Sequence, residues 1–190
     1  MRISFDFDGV LCLTPFGRFA VHPPERAAEV ADLPPDFERL YEGRGDPNVL
    51  RLVLEYARFA WRSAAPDAPG VLRRLAVDHD LYIVTGRSDA GRKLLDRWMR
   101  RHELEACFKG VWMAPPGLSS PQHKLAAARM LGADQHIDDD PRTAWYLASN
   151  GVPRVALLDH AGARGDAALP AGVDVVESLE AFGRLVETRP

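Results

Sequence analysis

The stretch that most constrains this chain is Ile3-Ser4-Phe5-Asp6-Phe7-Asp8-Gly9-Val10-Leu11, where two carboxylates sit two residues apart at the end of an apolar run. Ile3, Phe5 and Phe7 are β-formers, and Gly9 permits a backbone turn that a side chain would hinder. The segment therefore reads as a buried strand running into a loop. Asp6 and Asp8 point the same way off a strand and diverge once the turn begins. Two carboxylates this close repel unless a cation lies between them or one keeps a proton. Spacing alone leaves two readings equally open: a catalytic pair, or an Asp-Gly turn beside a solvated strand-end acid.

With 190 residues the chain suits one domain with a modest insertion, and 46% apolar against 27% charged residues is the balance of a soluble globular protein. The net charge of −3 gives no basic footprint for nucleic acid or an anionic membrane. No apolar run approaches the roughly 20 residues of a membrane helix, and Met1-Arg2 leads into the strand without a signal-peptide pattern. Cys12 and Cys107 lie far apart without zinc or disulfide spacing, so a reducing cytoplasm is expected, with Cys12 a small apolar filler near the acids.

Residues 12–65 differ from the rest. Pro15, Pro23, Pro24, Pro34, Pro35 and Pro47 break the stretch into short pieces. Asp46-Pro47 is placed to cap a helix ending near Arg62, with Val49, Leu50, Val53, Leu54, Ala57, Ala60 and Trp61 as its apolar face. The region reads as a small, mostly helical insertion whose seven Arg and eight Asp or Glu nearly cancel. Arg18, His22, Arg44, Arg58 and Arg62 are candidates to meet an anionic substrate, although solvated surface is the default for each.

Beyond the insertion, helices and strands alternate. Pro69 begins a helix, Leu81-Tyr82-Ile83-Val84 is a strand ending at Thr85-Gly86-Arg87, and Ser88 is placed to cap the next helix. Phe108 to Met113 is a third strand. Ser120-Pro121 opens a helix carrying Lys124 and ended by Gly132. Gln135-His136-Ile137 then runs into Asp138-Asp139-Asp140-Pro141, where Asp140 is explained as a helix cap while Asp138 and Asp139 are not. Val155 to Leu158 and Val173 to Val176 supply two more strands, and Ser178 starts a last helix.

This alternation predicts an α/β fold, a doubly wound parallel sheet with helices on both faces. Ligands bind beyond the carboxyl ends of such strands. Asp6/Asp8, Thr85 and Asp138/Asp139 would then converge on one crevice. Oxygen-rich, histidine-poor ligation of this kind suits a hard cation such as Mg2+, and phosphoryl transfer is its natural chemistry.

Asp6-Phe7-Asp8-Gly9-Val10-Leu11, Thr85-Gly86-Arg87, Lys124 and Ile137-Asp138-Asp139 resemble the four motifs of the haloacid dehalogenase-like hydrolase superfamily, a match running from residue 3 to about 158. The resemblance implies a catalytic core of residues 1–11 and 66–190 and a helical cap of residues 12–65. It implies that Asp6 attacks phosphorus while Asp8 serves as acid and then base. Mg2+ would be held by Asp6, the main-chain carbonyl of Asp8 and Asp139, with Asp138 a ligand or its neighbour. Thr85, Gly86, Arg87 and Lys124 would bind the phosphoryl group. The implied activity is hydrolysis of a small phosphorylated metabolite, with mononucleotides and polynucleotide ends as alternative substrates and a non-catalytic binding module as the competing class. A long nucleic-acid strand is disfavoured by the near-neutral insertion.

Overall fold

A computed structural model describes residues 1–13, 24–42, 56, 62–159 and 169–188. Its main sheet has six parallel strands in the order β5-β4-β1-β6-β7-β8. They are β1 (Arg2–Phe5), β4 (Asp80–Ser88), β5 (Phe108–Ala114), β6 (Gln135–Asp138), β7 (Val155–Leu158) and β8 (Val173–Val176). The central position of β1 follows from its burial on both faces, since Ile3 and Phe5 on one side and Ser4 on the other are all inaccessible to solvent. A second, two-stranded antiparallel ribbon joins β2 (Cys12–Leu13) to β3 (Ser63–Ala64), where the chain leaves for and returns from the insertion.

Helices cover both faces. α1 (Ala68–Asp78), α2 (Arg92–Arg101) and α5 (Leu179–Glu187) bury Val71, Leu72, Leu75, Leu95, Trp98 and Phe182 against Ile3, Phe5 and Phe7. Phe5 meets Phe182 edge to face at 5.6 Å between ring centres. Each such fully buried side chain is worth about 2 kcal/mol of apolar transfer. α3 (Ser120–Leu131) and α4 (Pro141–Ser149) pack the opposite face, where Leu125, Ala144 and Leu147 meet Val155 and Leu157.

The described part of the insertion holds two 3-10 segments, Pro24–Glu29 and Phe37–Tyr41, in place of α-helical turns. They lie against the core. The Gln122 amide donates to the Ala31 and Asp32 carbonyls, and Tyr146 donates to Ala31. The expected helix from Asp46 to Arg62 falls almost wholly outside the described residues, as do Arg18, His22, Arg44 and Arg58.

Two expected helix caps move. β4 continues through Ser88 by a register shift against β5, and the 3-10 turn Asp89–Gly91 separates it from α2, so Ser88 caps nothing with its side chain. Ser119, one residue before Ser120, forms a capping box with Gln122 on α3. Asp140 and Ser178 cap α4 and α5 as expected. Among the described residues no helix is long and apolar enough to cross a membrane.

Candidate active site

The site lies where β1, β4 and β6 end. β1 stops at Phe5, and the Asp6 N–H donates to Ile137 O at 2.9 Å, carrying the alignment with β6 one residue further. The next residues close a tight loop, in which Cys12 N–H and Leu11 N–H both donate to Phe7 O. Gly9 has φ +83°, and a Cβ there would stand 1.8 Å from Asp139 Oδ2. A glycine is thus required twice over, by the backbone and by the carboxylate seated against it.

Lys124 rises from the first turns of α3 into the cluster. Its Nζ is 3.1 Å from Asp6 Oδ2 and 2.7 Å from Asp138 Oδ2, with all three side chains buried. Asp6, Asp138 and Asp139 offer oxygens within 4.8 Å of one another, close enough to share one ion. Asp138 is further held by the Asp140 N–H on Oδ1 at 3.0 Å and by His136 Nε2 on Oδ2 at 3.1 Å.

The electrostatics separate the acids. Burial pushes Asp6 well above the usual carboxylate range, against the pull of Lys124. Asp139 is raised to about 7 by burial and by the neighbouring Asp138 charge. Asp138 goes the other way: burial would raise it, but Lys124 and the His136 hydrogen bond carry it down to about 2. Lys124 is held charged against burial by Asp138 and Asp6. Lys124 therefore keeps Asp138 ionised, while Asp6, although it also touches Lys124, and Asp139 hold their protons more tightly and would ionise together only with a further cation beside them. An oxygen-only donor set with that deficit fits a hard divalent ion such as Mg2+.

Asp8 stands apart from this cluster. Arg87 donates to it through Nε and Nη2, each at 2.7 Å, and Arg62 Nη1 donates to its Oδ1. Arg87 also lies over the Phe7 ring at 5.5 Å, and Trp98 fixes the Arg62 backbone by donating Nε1–H to its carbonyl. Arg62, expected at the surface, has a side chain only 8% exposed. Cys12 is buried beside this pair, its thiol pushed up to about 12 chiefly by burial, so it fills space rather than attacking.

Thr85 and Gly86 precede Arg87 on β4, short of the strand's last residue, Ser88. Thr85 is buried, and its hydroxyl accepts the Arg87 N–H at 3.3 Å. A Cβ on Gly86 would come 2.6 Å from Ser120 Oγ, so this glycine lets the strand end meet the start of α3. Thus Asp6, Lys124, Asp138 and Asp139 gather in one cluster, Asp8 and Arg87 in the adjoining one. Sequence reasoning passed over Ser4 and His136; Ser4 signals itself as a polar residue between Ile3 and Phe5, whereas His136 lies in a strand whose only apolar residue is Ile137.

No family model matches the sequence, and no curated protein does. Solved structures do. A haloacid dehalogenase-like family hydrolase from Streptococcus pneumoniae aligns over 97% of both chains with a TM-score of 0.61 and 14% identity. A protein assigned as a β-phosphoglucomutase from Thermotoga maritima aligns over 99% of both, with a TM-score of 0.61 and 20% identity. A 2-haloacid dehalogenase from Pseudomonas syringae covers 98% of this chain and 97% of its own, with a TM-score of 0.53 and 16% identity. These neighbours share a Rossmann-like α/β architecture spanning the whole chain. The fold is that of the haloacid dehalogenase-like hydrolases.

Proposed function

We propose that this chain is a Mg2+-dependent phosphatase that hydrolyses a small phosphomonoester through an aspartyl-phosphate on Asp6. The observation that carries the reading is Lys124 lodged between Asp6 and Asp138 with Asp139 alongside. The Asp6 and Asp139 side chains and the Asp8 main-chain carbonyl would hold the ion, beside Asp138. Bound there, it would balance charge on the phosphoryl oxygens.

Asp6 attacks phosphorus, and Lys124 and the Thr85 hydroxyl hold the phosphoryl oxygens as charge redistributes. Asp8 gives a proton to the leaving oxygen and later accepts one from the water that attacks the phosphoaspartate. Arg62 and Arg87 engage the Asp8 carboxylate in the resting site, so this step requires Asp8 to exchange one of those bonds for the substrate. Residues 12–65 form the lid that shapes the pocket and limits water. The protein is proposed to act in the cytoplasm.

A carbon–halogen activity, raised by the Pseudomonas neighbour, uses a nucleophilic aspartate without an acid two residues on, and Asp8 favours the phosphate ester. Phosphate release from a panel of sugar phosphates, mononucleotides and 3′-phosphorylated oligonucleotides, with and without Mg2+, tests the proposal and sorts its substrates. Transfer of the phosphoryl group to a second sugar hydroxyl would mark a mutase instead. A protein that binds Mg2+ and turns over no phosphate ester would overturn the reading.

A further inference from the structure

Beneath the carboxylate cluster the sheet carries a polar pair that packing does not call for. Ser4 on β1 and His136 on β6 are register partners, and both are wholly buried. An apolar pair would fill this place at lower cost, because each buried polar group must find a partner or lose its hydration uncompensated. Each has found one. Ser4 Oγ lies 2.8 Å from His136 Nδ1, and His136 Nε2 lies 3.1 Å from Asp138 Oδ2.

The donor directions follow from the groups. A carboxylate accepts only, so the imidazole carries a hydrogen on Nε2; the Ser4 hydroxyl lies 2.8 Å from Nδ1 against 3.4 Å from Gln135 O, so its hydrogen goes to the nearer acceptor, Nδ1. Asp138 Oδ2 also accepts from Lys124 Nζ at 2.7 Å, and Lys124 Nζ reaches Asp6 Oδ2 at 3.1 Å. Four contacts thus run unbroken from the middle of the sheet to Asp6. The Asp140 N–H on Oδ1 blocks rotation of the Asp138 carboxylate from the other side.

We propose that Ser4 and His136 are positioning residues of the site: the serine hydroxyl and the Asp138 carboxylate together fix His136 in its Nε2–H form, and that N–H pins Asp138 in the orientation that holds Lys124 against Asp6. Asp138 then serves as the anchor of the lysine, with both of its oxygens engaged by protein donors. Without the pin, the carboxylate turns toward the neighbouring ion site and Lys124 loses one of its two partners. This inference rests on the phosphatase reading only in taking Asp6 as the reacting group.

Imidazole 15N shifts of the metal-free protein test the first step without any ligand, and the expected result is the Nε2–H form in the wild type and a measurable added fraction of Nδ1–H in Ser4→Ala, where the carboxylate alone holds the tautomer. Calorimetric titration with inorganic phosphate in the presence of Mg2+ tests the second. His136→Leu is expected to weaken phosphate by roughly 10–100-fold, as loss of a partner behind a site residue does. His136→Gln, which keeps an N–H, restores most of that loss, a rescue that a purely space-filling role would not give. Thermal melts establish which variants fold, and if His136→Leu does not, Ser4→Ala and His136→Gln carry the comparison. An Nδ1–H or cationic His136 in the wild type would overturn the proposal, as would folded Ser4→Ala and His136→Leu proteins that bind phosphate within about twofold of wild type. Should the wild type neither bind phosphate nor hydrolyse an ester, the phosphatase reading fails while the tautomer measurement still decides this one.

Discussion

Arg87 closes on Asp8 through two parallel hydrogen bonds, Nε to Oδ2 and Nη2 to Oδ1, each 2.7 Å long. Arg62 adds a third donor from the residue just before β3, where the insertion rejoins the core. The second aspartate is therefore tied both to the end of β4 and to the returning stem of the insertion. Because the Arg62 and Asp8 side chains are only 8% and 23% exposed, solvent screens the contact less than it would at the surface. A double-mutant cycle of Arg62→Ala and Asp8→Ala, followed by urea unfolding, is expected to give a coupling of about 1 kcal/mol or more. Strictly additive effects would mean that Arg62 does not anchor the stem through Asp8.

Asp6→Asn should separate function from stability. Loss of the carboxylate proposed to attack phosphorus is expected to lower phosphate-ester turnover by roughly a thousandfold or more. Asp6 is raised well above its ordinary value of 3.8, mainly by burial, so the folded chain holds a proton that the unfolded chain gives up, and stability is lost as the pH climbs from 3.8 through the raised value. The contribution of this group is full in acid and fades as pH rises. In metal-free buffer near neutrality the asparagine protein should melt no lower than wild type, and in saturating Mg2+ the order should reverse. Thermal melts in the two buffers check both halves.

The strands were legible because their apolar runs are local, and three of them end in the polar residues that meet at the site. Asp138 and Asp139 could be singled out because capping accounts for Asp140 alone, and α4 is indeed capped by Asp140. Arg62 was not legible, since its partner Asp8 is 54 positions away and the contact depends on how the insertion returns. Ser4 and His136 are 132 positions apart and meet only through the β1–β6 register. Ser88 misled because a strand can outrun its apolar core when its neighbour shifts register.

Gly9→Ala is expected to damage the proposed ion site before it damages the fold. The left-handed backbone at φ +83° costs an alanine about 1–2 kcal/mol. The larger effect is steric, since the new methyl would stand 1.8 Å from Asp139 Oδ2 and must displace that carboxylate. Mg2+ binding by calorimetry should fall well beyond what the change in melting temperature suggests. Gly151→Ala supplies the control: it shares a positive φ of 85° but meets nothing within 4 Å, so it should lose a similar backbone increment and bind Mg2+ normally.

His123 gives the fold an acid-sensitive contact between the insertion and the core. It is buried next to Lys124, its Nδ1 accepts the Tyr41 hydroxyl at 2.7 Å, and its Nε2 donates to Trp112 O at 3.3 Å. Burial above all lowers it from 6.5 to about 3. Between those values the unfolded chain binds a proton that the folded chain refuses, so the stability this residue contributes is complete above the upper value and drains away as pH falls toward the lower. At about pH 5 the loss amounts to about 2 kcal/mol relative to neutrality. His123→Gln keeps an amide able to bond Tyr41 and the Trp112 carbonyl but has no proton to take up. Its unfolding free energy, measured in urea from neutral pH down to about pH 5, should decline less steeply than that of wild type by this amount. His136, buried and lowered in the same direction, is present in both proteins, so the difference between the two profiles belongs to His123. Parallel profiles would mean that His123 already takes up a proton in the folded protein.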